Sequence, residues 1–232
     1  MVLNPEQRDM KWLRESMRIL PLALLALLLV MSAKVQAGSP SELIQQSIDE
    51  VYEILRADET RAQEDPEFVI GVIKDKILPN VDVDGMARLV LARHWREASS
   101  EQRTRFTEAF TETLLKAYGV QLGDHLDKDV RVIERRSRQD DRMAVVATEV
   151  VMGSGQSNIQ VNYRLRPVNG EWKVFDVEAE GLSFVGNFRT RFNEEINRGG
   201  LDALIERLED GDEDLIEDAV GDINAASNGQ ER

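Results

Sequence analysis

Trp172-Lys173-Val174-Phe175-Asp176-Val177-Glu178-Ala179-Glu180-Gly181-Leu182-Ser183-Phe184-Val185-Gly186-Asn187-Phe188-Arg189-Thr190-Arg191-Phe192 is the stretch on which the fold of this chain turns. Its first eight residues are rich in Trp, Val and Phe, the composition of a strand. Gly181 breaks that pattern, and the Ser183 side chain can cap whatever follows. Phe184, Phe188, Phe192 and Ile196 then recur every four residues, which puts them on one face of a helix. Gly199-Gly200 ends that helix, and Leu201, Leu204, Ile205 and Leu208 begin a short second one. A strand feeding a phenylalanine-faced helix suits either a packed core or a greasy cavity beside one.

Upstream, helices come first. Ser39-Pro40-Ser41-Glu42 is a capping box with proline at the first helical position, and Leu43, Ile44, Ile48, Val51 and Leu55 follow on one apolar face. Asp65-Pro66-Glu67 starts a second helix, which stops before Pro79, and Asp84 opens a third carrying Met86, Leu89 and Val90. Ser99-Ser100-Glu101-Gln102 caps the fourth and longest, with Phe106, Phe110, Leu114 and Ala117 along one side. Glu101 with Arg105 and Glu112 with Lys116 have the spacing of helical ion pairs.

The pattern changes after Asp129. Val130–Glu134, Met143–Met152, Ile159–Leu165 and Trp172–Ala179 read as four strands, with Gly153-Ser154-Gly155 and Asn169-Gly170 as turn signals. Ile159, Val161, Tyr163 and Leu165 alternate with Gln160, Asn162, Arg164 and Arg166, so one sheet face is buried and the other wet. Helices, then an antiparallel meander, then covering helices make an α+β fold.

The 232 residues suit one domain with appendages. Lys11, Arg14 and Arg18 precede an apolar run from Ile19 to Met31, and Val35-Gln36-Ala37 offers small residues for cleavage. Residues 1–37 are therefore expected to be a secretory signal peptide cut after Ala37, since that run is too short to span a bilayer. Its loss removes five basic and three acidic residues and takes the net charge from −14 to −16. So acidic a chain argues against nucleic acid and against lasting adhesion to anionic lipid surfaces. No cysteine is present, so the core holds the fold without disulfides. Residues 209–232, with Asp210, Asp212, Glu213, Asp214, Glu217 and Asp218, are expected to be a disordered or weakly helical acidic tail outside a 38–208 domain.

Three segments taken together resemble the MlaC family, the periplasmic phospholipid-binding proteins of toluene tolerance. They are Val83-Asp84-Gly85-Met86-Ala87-Arg88-Leu89-Val90-Leu91, Ser99-Ser100-Glu101-Gln102-Arg103 running on to Leu114-Leu115-Lys116-Ala117-Tyr118-Gly119, and the stretch through Gly181-Leu182-Ser183. The likeness runs from about Leu43 to Leu208. It implies an NTF2-like, cystatin-like arrangement: a four-stranded, curved antiparallel sheet with helices packed on its concave side. It also implies a periplasmic carrier that shuttles phospholipid and maintains outer-membrane lipid asymmetry. The implied partners are an inner-membrane ABC transporter complex with its MCE-domain subunit and an outer-membrane lipoprotein–porin complex. Cargo lipid is the only ligand expected, with no cofactor.

Polar chemistry finds little footing. In Gly181-Leu182-Ser183-Phe184-Val185-Gly186 the second glycine arrives one residue late for a nucleophile elbow. Asp210, Asp212 and Asp214 have the spacing of a calcium loop, but Leu215 stands where glycine is needed and Gly221 where glutamate is. Two histidines without cysteine make a poor zinc site. Related cone folds hold isomerases and hydratases, for which Asp176 and Tyr163 would be the acid–base candidates. A ligand-free envelope interaction protein is the other alternative. For a carrier, the acyl-chain contacts expected from the helices are Leu89, Val90, Phe106, Phe110, Leu114 and Tyr118. From the sheet and the last helices come Val161, Tyr163, Phe175, Phe184, Phe188 and Phe192.

Overall fold

The computed structural model describes residues 38–123, 126–153, 157–212 and 214–215, with the side chains of Tyr118, Val120 and Gln121 excepted. The expected signal peptide lies outside the described residues. The helices begin where the caps direct. Ser39 and Glu42 form a reciprocal capping box at the start of α1, Pro40–Ala57. Asp58 caps the short α2, Glu59–Glu64, and Asp65 caps α3, Pro66–Lys76. The carboxylate of Asp82, two residues ahead of the expected Asp84, caps α4, Val83–Leu91. A turn at Ala92 leads into α5, Arg93–Glu97, and the Ser99–Gln102 box opens α6, Ser100–Leu114. That helix widens into a π turn over Leu115–Gly119 before α7, Val120–Gly123.

Among the described residues, six strands form one open antiparallel sheet. Four match the sequence pattern: β1 (Asp129–Val132), β3 (Ala144–Val151), β4 (Ile159–Val168) and β5 (Glu171–Ala179). The count of four is corrected by β2 (Arg138–Gln139) and β6 (Leu182–Ser183), which are too short for any alternation to register. The order is β1-β3-β4-β5-β6, with β2 also on β3. Asn169 and Gly170 both take positive φ, the two-residue turn that suits the strand twist, and Glu180-Gly181 repeats the device. Gly181 therefore does not simply end the strand; it folds Leu182-Ser183 back onto Glu178-Ala179. The register slips between Arg164 and Leu165, leaving Phe175 as the extra residue of a bulge that bends the sheet.

Helices α8 (Phe184–Gly199) and α9 (Leu201–Glu209) complete the described structure. Three apolar cores result among the described residues. Ile44 of α1 packs on Ala144, Val146, Leu165 and Val174 of the sheet. Val51 and Leu55 of α1 meet Ala62, Val69, Val72 and Leu126. The largest joins α4, α6, α8 and α9 around Phe106, Phe110, Phe188 and Phe192. The ion pairs of α6 reach across elements: Arg105 grips Glu209 with two hydrogen bonds, of 2.9 and 2.6 Å, and Glu112 takes Lys74 at 2.6 Å. Packing also runs past the expected domain end. Leu215 is 4 % exposed within the aromatic core, and Asp212 is bound by Arg207 at 2.7 Å. That hydrogen bond holds the Asp212 carboxyl below its usual range.

Candidate functional site

The corner from β5 into α8 is organised by one carboxylate. Asp176, 4 % exposed, accepts hydrogen bonds from Ser183 Oγ at 2.7 Å and from the Val185 amide at 3.1 Å. Ser183 Oγ in turn accepts from the Gly186 amide at 3.0 Å. A negative charge here complements the unpaired N–H groups at the start of a helix. Arg164 lies 3.9 Å from the same carboxylate and 2.8 Å from Glu178. Asp176 is thus committed to fixing the direction in which α8 leaves the sheet.

Tyr163 cannot act with it. Asp176 pairs across the sheet with Arg164, and Tyr163 with Val177, so the two candidates point to opposite faces. Burial of the Tyr163 hydroxyl, aided by nearby Tyr52 and opposed by a hydrogen bond with Thr148, pushes its pKa up to about 12. The phenol stays neutral throughout the physiological range.

The twelve expected contact residues divide into groups. Val90, Phe106, Phe110, Phe188 and Phe192 are closed into the largest core. Phe106 and Phe110 stack with centroids 5.6 Å apart, Phe188 meets Phe110 edge-on at 5.2 Å, and Phe192 touches Phe106, Phe110 and Phe188 within 6.0 Å. Leu89, Leu114 and Phe184 lie on the edge of this cluster and keep part of their surface accessible. Val161 and Tyr163 stand half-buried on the face of the sheet that packs on α1. Phe175, on the bulge, lies beneath the Arg166 guanidinium at 5.2 Å. Tyr118 sits on the π turn, with its side chain outside the described residues.

Half-buried apolar groups that the sequence reading passed over join this set. Tyr52 of α1, with Ile73 of α3 and Ile77 at the end of that helix, borders one small core, and Val177 borders the core on the sheet. Tyr52 and Tyr163 are near enough for the charge of one to affect the other. The π turn presses close to α3: a Cβ on Gly119 would stand 3.1 Å from Ile73 Cδ1. Such turns often mark functional places in long helices. The signal for Tyr52, Ile73 and Ile77 was their position on apolar helix faces, and for Val177 its place in an apolar strand. Met143, 41 % exposed, is the one large hydrophobic side chain on the open surface among the described residues. Apolar surface that is neither packed away nor fully exposed is what this arrangement offers, and it suits a greasy ligand better than bond-making chemistry.

A family model described as MlaC protein matches residues 45–210. The intermembrane phospholipid transport system binding protein MlaC of Haemophilus influenzae is 24 % identical over 199 residues, covering 85 % of this chain and 92 % of its own. The toluene tolerance protein ttg2D of Pseudomonas putida is 28 % identical over 169 residues, covering 72 % and 78 % respectively. Among solved structures, the phospholipid-binding protein from Ralstonia solanacearum in complex with a phospholipid superposes with a TM-score of 0.69. It is 23 % identical, and the match covers 77 % of this chain and 99 % of that one.

Proposed function

We propose, because this chain belongs to the MlaC family, that it is a periplasmic carrier that binds phospholipid by its acyl chains and performs no covalent step. The family match over residues 45–210 is the observation that carries this reading. The half-buried apolar set supports it. Leu89, Leu114, Phe184, Val161 and Tyr163, with Tyr52, Ile73 and Val177, provide surface for acyl chains. The closed phenylalanine cluster behind Phe184 serves as a stiff wall. Energetics set how far the chains must enter. Each acyl CH₂ left in water costs about 0.8 kcal/mol. Five wet methylenes would cost about 4 kcal/mol, roughly a thousandfold in affinity. A carrier competing with a bilayer therefore encloses the tails and leaves the headgroup outside.

The carrier exchanges lipid with an inner-membrane ABC transporter complex through its MCE-domain subunit and with an outer-membrane lipoprotein–porin complex, in support of outer-membrane lipid asymmetry. Neither acid–base partner needed for the isomerase alternative faces the other, since Tyr163 and Asp176 lie on opposite sheet faces. Native mass spectrometry of protein purified from periplasm without detergent tests the proposal. Bound phospholipid is expected, together with uptake of lipid from vesicles after delipidation. Protein that is folded, lipid-free and unable to take lipid up would refute it and favour a ligand-free interaction protein.

A further inference from the structure

Two side-chain polar atoms are buried without a hydrogen-bond partner among the described residues, Thr107 Oγ1 and Asn187 Nδ2. A threonine hydroxyl inside a helix can rotate back to a carbonyl of the preceding turn. The –NH₂ of an asparagine carries two donors on a planar group, and burying it unpaired is costly. Asn187 is thus the buried group whose partner is missing.

Its position in α8 suggests what that partner is. Phe184, Asn187 and Arg191 follow one another at steps of three and four residues, so they share a stripe that flanks the buried Val185–Phe188–Phe192 stripe and adjoins it at Phe184. The stripe passes from a half-buried phenyl ring through a neutral amide to a partly exposed arginine. Each step spans one turn, roughly 5 Å along the axis. A diacyl phospholipid has the same succession over a similar length: hydrocarbon, ester carbonyl, phosphate. A lipid laid along this stripe would bring its ester level with the donor at the boundary between greasy and charged groups.

We propose that Asn187 Nδ2 donates a hydrogen bond to an acyl-ester carbonyl of the bound phospholipid; the proposal rests on the carrier reading above. The carbonyl accepts, and the amide loses the burden of being unpaired. Asn187 would then set the depth to which the chains enter, with specificity for an ester-linked lipid whatever its headgroup.

The test offers delipidated mature protein vesicles containing equal amounts of dipalmitoyl phosphatidylglycerol and its diether analogue, which lacks both carbonyls. Native mass spectrometry reads the ratio bound by wild type, by Asn187→Leu and by Asn187→Ala; the alanine variant keeps the comparison open if leucine disrupts packing. Wild type is expected to favour the diester by about twofold to tenfold, the range of one neutral hydrogen bond. Both variants are expected to bind the two lipids in the ratio the vesicles contain. A purely structural Asn187 would change stability or total uptake and leave the ratio alone. Equal binding by wild type, or an ester preference that persists in the variants, overturns the proposal while leaving the carrier intact. Failure of wild type to take up either lipid overturns the carrier reading itself.

Discussion

Removing one ring from the aromatic cluster separates wall from lining. Phe188 is 1 % exposed, and its ring lies 5.2 Å from Phe110 and 5.4 Å from Phe192. Phe188→Ala deletes a ring that its neighbours cannot replace, at a cost of about 3–5 kcal/mol. A domain of this size loses roughly 2–4 °C of Tm per kcal/mol, so the melting point should fall by about 10 °C. Phe184 keeps part of its surface accessible on the edge of the same cluster. Phe184→Ala should therefore cost about 1–2 kcal/mol, in proportion to the area it buries, and should weaken lipid retention. The assay is urea denaturation of delipidated protein, so that bound cargo adds nothing to apparent stability. Lipid retained per folded molecule is then measured in parallel by mass spectrometry. Wall residues should move stability most and spare lipid; lining residues should cost less stability and lose lipid. A Phe188→Ala protein losing less than about 1 kcal/mol but shedding its lipid would refute the division.

Three further outcomes follow from other parts of the chain. Tyr163 has a folded pKa raised to about 12 from 10, so its contribution is fully present below pH 10 and is lost as pH rises from 10 to 12. That amounts to about 2–3 kcal/mol, and Tyr163→Phe should remove this part of the alkaline stability loss in pH-dependent denaturation. Truncation after Glu209 removes Asp212 and the buried Leu215 and should cost about 2 kcal/mol, whereas truncation after Leu215 should leave Tm unchanged. N-terminal sequencing of the periplasmic form should begin at Gly38; recovery only from membranes with residues 19–31 attached would show an anchored protein instead.

What was legible in the sequence was local. Ser39 with Glu42, Ser99 with Gln102, and Asp65 before Pro66 announce their helices because a cap involves only a few neighbouring residues. Ile159–Val168 alternates long enough to be recognised and Ala144–Val151 is a long run rich in apolar and β-branched residues, while Arg138-Gln139 and Leu182-Ser183 are too short for either signal. The four-residue phenylalanine period gave a helix face without saying what it meets, and α6 supplies two of the rings that close over it. Spacing allowed Glu101 to pair with Arg105, yet Arg105 found Glu209, which only the fold brings near. Leu215 was hidden by averaging: one apolar residue in an acidic run barely changes the composition, though it is enough to pin the chain.

The corner at Asp176 links these observations to the proposed carriage. By holding Ser183 and the Val185 amide, its carboxylate fixes the rotation of α8 about its axis, and that rotation decides which stripe meets the rings of α6. Phe188 and Phe192 turn inward and interlock, Phe184 stays at the edge of their cluster, and Asn187 and Arg191 lie along the flank beside it. A carrier needs both surfaces. A lining that reorganises around different acyl chains requires a neighbour that does not, since otherwise each loading event would cost core packing as well as conformational entropy. On this account an alanine at Asp176 should damage lipid retention and stability together, because freeing the corner lets the two stripes rotate as one.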